Sequence, residues 1–331
     1  MPESPRHTFC TLFDSNYLTR GLALHESLER SGADYHLYVF AFDQKSDRIL
    51  RALRRPHLTV VSMAEFEDQE LLRVKNTRSR VEYCWTCTPS IILHVLERFG
   101  ADRCTYLDAD LWFYADPSVL LDEMGNNSVL ITEHRYTARY DKSRKSGKYC
   151  VQFISFRNDD NGLTALRWWR DRCNEWCYAR IEDGKFGDQK YLDDWTTRFD
   201  GVHVLRHRGG GLAPWNIQQY SLKPSDSGFT ITETASGREF DLIFYHFHYV
   251  RYYSNGLVDL GRRTLSKPVL DHLYKPYMRE LDRLKSFVRK MDSSFDPHGA
   301  GEWTVTWKSP LLFLWRTLNG TYHVYSLKEF L

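Results

Sequence analysis

Thr105-Tyr106-Leu107-Asp108-Ala109-Asp110-Leu111-Trp112-Phe113 sets two acids between two apolar runs. In extended chain, residues i and i+2 point the same way, so Asp108 and Asp110 leave a strand end together. Open α/β sheets commonly bind ligands at that edge. Paired hard oxygen ligands suit Mg²⁺ or Mn²⁺, ions that also bridge a diphosphate. An isolated Asp-x-Asp reads equally as a solvated turn. Here it ends an apolar strand, where two carboxylates cost stability unless something neutralises them.

Working upstream, the apolar pattern predicts strands at 10–13, 36–42 and 58–63. Helices are expected at 17–31 and 46–54, with a third running from an N-cap at Thr88, with Pro89 in its first turn, to Phe99. Strands at 103–107 and 111–114 follow. This alternation implies an α/β layered sheet, largely parallel and flanked by helices. Downstream, strands are expected at 129–132 and 151–156, helices at 163–178 and 268–291, and a hairpin from 229–234 and 240–247. No repeats or low-complexity tracts interrupt the chain.

Composition narrows the function classes. The 331 residues carry 45 Lys+Arg against 43 Asp+Glu, a balance that excludes a dedicated nucleic-acid binder. With 42% hydrophobic and 27% charged residues, the chain is globular rather than disordered. Aromatics at 15% suit stacking on sugars or bases, and equally an aromatic core. Seven cysteines, an odd number, do not form a disulfide framework. The opening Met1-Pro2-Glu3-Ser4-Pro5-Arg6-His7 lacks a leader's apolar stretch, and no apolar run approaches the ~20 residues of a membrane span. The expected compartment is a reducing cytoplasm.

Four further segments carry chemistry. In Ile243-Phe244-Tyr245-His246-Phe247-His248, alternation puts both histidines on one face. Imidazole completes a metal site better for Mn²⁺ than for Mg²⁺, and hydrogen-bonded cleft histidines are the alternative. In Phe186-Gly187-Asp188-Gln189, a helix starting near Gly187 sets Asp188 and Gln189 in its first turn, where an acid also serves the helix dipole. Gly209-Gly210-Gly211 permits close backbone approach to a ligand or makes a long turn; neither a GxGxxG nor a Walker loop is present. Cys84, Cys87, Cys173 and Cys177 have thiolates enough for zinc, with packed, inert cysteines as the plainer reading.

Taken in order, these pieces resemble GT-A-fold glycosyltransferases, most closely the family-8 retaining enzymes and their bacterial relatives. Phe9 to Tyr17 looks like that family's first strand and base-binding turn, implying nucleoside contacts from Thr11, Asp14 and Tyr17. Tyr106-Leu107-Asp108-Ala109-Asp110 matches the family's Asp-x-Asp, and His246 its late histidine, with His248 as alternate. Asp188-Gln189 matches the Asp-Gln segment beside the donor sugar's anomeric carbon. Gly211 to Asn216 is similar to a Gly-x-Ala-x-Trp-Asn stretch of bacterial relatives, bringing Trp215 and Asn216 to the nucleotide-sugar site. Two features depart. Cys150-Val151-Gln152-Phe153-Ile154 stands where the family has Asn-x-Gly, and Ile91-Ile92-Leu93 where the preceding helix presents a basic residue. Glu133 and His134 are the expected replacement contacts, with a surface turn as the alternative.

The resemblance implies a Rossmann-like catalytic domain over 1–260 and a helical extension over 261–331. It implies Mn²⁺ or Mg²⁺ held by Asp108, Asp110 and His246, with Asp188 and Gln189 catalytic. The expected reaction is metal-dependent hexosyl transfer from a nucleotide sugar, UDP-sugar favoured, to a glycan or lipid-linked glycan hydroxyl in surface-polysaccharide synthesis. Stereochemistry is retained if the family pattern holds. An inverting enzyme with Asp188 as general base, a catalytically silent nucleotide- or glycan-binding protein, and a nucleotidyltransferase are the rivals. The tail from Trp307 to Arg316 suits peripheral contact with the inner face of a membrane, bringing the enzyme to a lipid-linked acceptor. Packing of those aromatics on the catalytic domain is the competing expectation.

Overall fold

The computed structural model describes residues 5–226, 228–306 and 309–331. The expectations that fall on residues 1–4 and on Trp307 and Lys308 lie outside the described residues. Eight strands come first in the chain: β1 (His7–Phe13), β2 (Tyr35–Ala41), β3 (Leu58–Ser62), β4 (Arg103–Leu107), β5 (Leu111–Phe113), β6 (Val129–Glu133), β7 (Tyr149–Arg157) and β8 (Val202–Val204). Seven of them form one sheet in the order β3-β2-β1-β4-β7-β6-β8. β3, β2, β1 and β4 run parallel, while β7 is antiparallel to both its neighbours. The sheet is therefore mostly parallel and mixed, as expected.

Both faces are buried, which is why its strands read as near-continuous apolar runs. One layer collects Phe9, Leu37 and Val39 with Leu22 and Leu28 of the helix Leu18–Arg30 and Leu281 and Leu284 of the helix Lys275–Met291. The other collects Cys10, Phe40 and Tyr106 with Ile91 and Val95 of the helix Arg80–Arg98 and Trp169 of the helix Asp160–Glu175. Cys87, Cys173 and Cys177 belong to this second layer, and all seven cysteines are free. Cys84 packs against that layer, and among the described residues no cysteine belongs to a group placed to hold a metal ion.

Two expectations about elements are corrected. The helix expected from Thr88 begins at Arg80, with Pro89 in its interior. Ser79 is its N-cap, in a reciprocal box with Glu82 that satisfies two end donors. Apolar packing of Ile91, Val95 and Leu96 carries the helix through the proline. The second correction concerns the hairpin. β9 (Tyr220–Ser225), β10 (Gly228–Glu233) and β11 (Glu239–Asp241) form a small antiparallel sheet. β12 (Phe244–His246) then leaves it and pairs antiparallel with β5, setting His246 opposite Leu111. Leaving the hairpin is what carries the late histidine to the acidic turn. Farther on, β13 (Arg251–Tyr252), β14 (Leu257–Asp259) and β15 (Val324–Ser326) form a three-stranded sheet.

The glycine run braces β12. Gly209 O accepts from Ile243 and Phe244, and Leu212 O from His246 at 2.8 Å. A Cβ on Gly209 would lie 1.9 Å from Asp241 O, so only glycine permits that approach.

Candidate active site

β4 ends at Leu107, and the chain turns through Asp108-Ala109-Asp110 into β5. The turn is held from both sides: Asp108 N–H donates to Gln152 O at 3.0 Å, and Phe247 N–H to Asp110 O at 2.9 Å. His246 Nε2 lies 3.0 Å from Asp110 Oδ1 and 3.7 Å from Asp108 Oδ2. His248 joins them. Among the described residues, Asp110, His246 and His248 form the group whose ligand atoms all lie within 4.8 Å of one another. Alternation along β12 and beyond works as the sequence suggested: Tyr245 and Phe247 are fully buried on the opposite side.

The electrostatics follow from burial and mutual charge. Burial pushes Asp108 up to about 6, against the pull of His246. Burial also opposes ionisation of Asp110, but the charge and hydrogen bond of His246 hold it down at about 2. Desolvation disfavours a charged His246, yet Asp110 and then Asp108 raise it well above its ordinary value. The histidine thus stands as the positive partner of a carboxylate pair. One carboxylate oxygen and two imidazole nitrogens within 4.8 Å of one another, with Asp108 Oδ2 3.7 Å from His246 Nε2, fit a divalent cation, and mixed O/N ligation suits Mn²⁺ better than Mg²⁺.

This cluster lies on the wall of a cleft of about 790 Å³. Asp14 and Tyr17, at the end of β1, line it, as do Asp188, Gln189, His134 and Trp215. Asp14 Oδ1 caps the turn to Tyr17, while its other oxygen pairs with Arg80 at 2.5 Å. Asp188 is buried, and desolvation followed by the charge of Asp108 pushes it up to about 8. It begins a 3-10 turn, Gln189–Asp194, rather than the expected α-helix, and its side chain makes no capping hydrogen bond. Gln189 Nε2 donates to Ser146 O at 2.6 Å. Trp215 packs edge-on against His134, His246 and His248 and donates from Nε1 to His134 O.

Three expected contact residues are not brought to the cleft wall. Thr11 is fully buried in mid-strand, one residue before Leu12, which lines the cleft. Asn216 spends its amide on His134 O, Gly211 O and Ala213 N, bracing the loop that carries Trp215. Glu133 pairs with Lys148 across the β6–β7 edge at 2.9 Å.

Sequence reasoning missed other wall residues. Arg80 and Trp85 come from the first half of the helix Arg80–Arg98, and Lys142, Arg262 and Arg263 from loops. The Ser79-x-x-Glu82 box was the signal for the first two. It moves the N-cap by nine residues, from Thr88 to Ser79, and brings a basic side chain, Arg80, to the cleft wall.

No protein-family model matches the chain. Two Bacillus subtilis (strain 168) proteins are similar along most of its length. The uncharacterized protein YfnF is 32% identical over 296 residues, 87% of this chain and 96% of YfnF. The uncharacterized protein YfnD is 30% identical over 299 residues, 88% of this chain and 93% of YfnD. The chain belongs to the YfnD/YfnF family. Among solved structures, the galactosyltransferase LgtC in complex with donor and acceptor sugar analogs aligns with a TM-score of 0.52 at 11% identity. That alignment covers 83% of this chain and 95% of LgtC. At that identity the likeness is one of fold, and the fold of this YfnD/YfnF-family chain is GT-A.

Proposed function

We propose that this YfnD/YfnF-family protein is a metal-dependent glycosyltransferase. In this reading it moves a hexosyl group from a nucleotide sugar, UDP-sugar favoured, to a hydroxyl of a glycan or lipid-linked glycan. The observation that carries the proposal is the grouping of Asp110, His246 and His248, with Asp108 beside them, on the wall of a large cleft at the sheet's carboxyl edge. Those four side chains would hold Mn²⁺ or Mg²⁺. When bound, such an ion supplies Lewis acidity to the charge that develops on a departing diphosphate.

The chain's own residues account for the rest. Asp14, Tyr17 and Trp85 offer polar and flat aromatic surface at the end of β1, where a base and ribose fit. Lys142, Arg262 and Arg263 add positive charge to the same wall, matching a phosphate-bearing ligand. In this reading Asp188 and Gln189, which line the cleft, would stabilise an electron-poor anomeric centre electrostatically. Retention, as in the family-8 enzymes the sequence resembles, is the proposed outcome, with proton transfer to the leaving diphosphate. Inversion would make Asp188 the general base, and the anomeric configuration of the product by NMR separates the two.

The experiment is donor turnover with a set of UDP-, GDP-, dTDP- and CMP-sugars, with and without Mn²⁺, in wild type and Asp110→Ala. Mn²⁺-dependent release of one nucleoside diphosphate, lost in Asp110→Ala, is the expected result. A signal indifferent to both metal and substitution removes the assignment, and binding without turnover leaves the silent-scaffold reading. The C-terminal helix Ser309–Leu318 is the proposed membrane-facing element. Of its aromatics, Phe313 is 51% and Trp315 55% exposed, with Phe313 edge-on to Tyr322; packing against the catalytic domain is the competing reading.

A further inference from the structure

We propose that Gln152 is the positioning residue of His246, its side-chain oxygen holding the imidazole proton on Nδ1 so that Nε2 stays open to a divalent cation. The inference rests on the cation reading above and adds a residue that reading does not require. Gln152 is fully buried in the middle of β7. Its Oε1 lies 2.5 Å from His246 Nδ1, and its backbone carbonyl accepts from Asp108 N–H at 3.0 Å. One residue therefore fixes the first acid and the imidazole together.

The amide's other end shows the direction of the bond. Gln152 Nε2 is buried with no hydrogen-bond partner among the described residues. The amide leaves its own donor unpaired to present oxygen to the histidine. The opposite rotamer would donate to Nδ1. A neutral imidazole has one donor and one acceptor nitrogen, so its proton would then sit on Nε2 and close that atom to a cation. Space for this arrangement comes from Gly211. A Cβ there would fall 3.1 Å from Gln152 Nε2, at a φ of +101° that L residues rarely adopt. Partners of this kind on the far nitrogen of a ligating histidine orient the ring and tune affinity.

The test is Mn²⁺ titration followed by EPR in the presence of UDP, with melting curves alongside. Gln152→Met keeps the side chain's length without the oxygen and should weaken Mn²⁺ binding by about tenfold or more. Gln152→Glu restores an acceptor and should stay within about threefold of wild type. Unchanged affinity in Gln152→Met overturns the inference, as does an equal loss in both variants, the mark of a purely structural role. Failure of wild type to take up Mn²⁺ overturns the cation reading and this inference with it. A second measurement needs no substitution at 152. In ¹⁵N-histidine-labelled wild type with Mg²⁺ and UDP, the His246 signal, identified by its absence from His246→Gln, should carry its proton on Nδ1. A proton on Nε2 overturns the assignment even where wild type binds metal.

Discussion

Asp188 is a cleft side chain whose environment strongly alters its ordinary chemistry. Burial, then the charge of Asp108, lifts it to about 8, against about 3.9 in an unfolded chain. Between those values the folded state keeps a proton that the unfolded state has lost, so this group makes stability fall as pH rises from about 4 to about 8. Asp188→Asn removes that dependence. Its melting temperature should exceed wild type's by a few degrees, roughly 1–3 kcal/mol, at pH 8 and match it at pH 4. Turnover should fall by about 10²-fold or more if the carboxyl faces the reacting centre. A variant that melts lower at both pH values would show a structural acid instead. His246 gives a second prediction with the opposite sense. Asp110 and Asp108 overcome its burial and keep it protonated well above its ordinary value, yet a ligating imidazole must be neutral, so a cation has to displace that proton. Mn²⁺ affinity should be tighter at pH 8 than at pH 6, and equal affinities would remove His246 from the ligand set.

At the scale of elements, the placement of His246 depends on a short strand held by a glycine loop. Gly209→Ala forces a Cβ to 1.9 Å from Asp241 O, and the loop or β12 must shift. A loss of about 1–3 kcal/mol is expected by denaturant titration, together with weaker Mn²⁺ binding. Full stability with full affinity would show that the brace is dispensable. The same elements show what was legible in advance. β1 to β4 and the acidic turn were readable because local apolar periodicity and the i, i+2 rule suffice there. The start of the helix Arg80–Arg98 was not, because Pro89 behind Thr88 imitates a helix beginning and tertiary packing overrides that local signal. Arg80 and Trp85 were lost with it. Gln152 was visible only as a departure from a motif. Its role depends on β7 lying beside β4 with Gln152 O facing Asp108 N–H, a long-range register that no local pattern encodes. Thr11 failed for a finer reason, because one residue along a strand separates a buried position from the cleft edge.

At the scale of the whole molecule, the chain after residue 260 returns to the GT-A body at defined points. The helix Lys275–Met291 shares an apolar layer with Leu18–Arg30, and β15 pairs with β14. Arg316 buries its guanidinium in a two-pronged contact with Asp259 at 2.8 and 3.0 Å and donates to Gly261 O. That contact fixes the helix Ser309–Leu318 to the loop that carries Arg262 and Arg263 into the cleft. What the helix turns outward is apolar: Leu311 is 65%, Leu314 53% and Leu318 77% exposed, beside Phe313 and Trp315. No helix of the described residues is long and apolar enough to cross a membrane; under the proposal that this helix faces a membrane, it would lie on the bilayer surface. Between Glu302 and Glu329 the sequence has no acid, and besides the buried, paired Arg316 it carries Lys308 and Lys328, a sign suited to anionic lipid. Burying three such side chains is worth on the order of 5 kcal/mol, enough for reversible attachment. Leu314, Trp315 and Leu318, each more than half exposed, are replaced together by serine. This change should abolish co-sedimentation with vesicles containing anionic lipid, leave the melting temperature within about a degree, and leave turnover of a water-soluble acceptor unchanged. Sedimentation equal to wild type would show that this helix is not an anchor, and its exposed face would then need a protein partner.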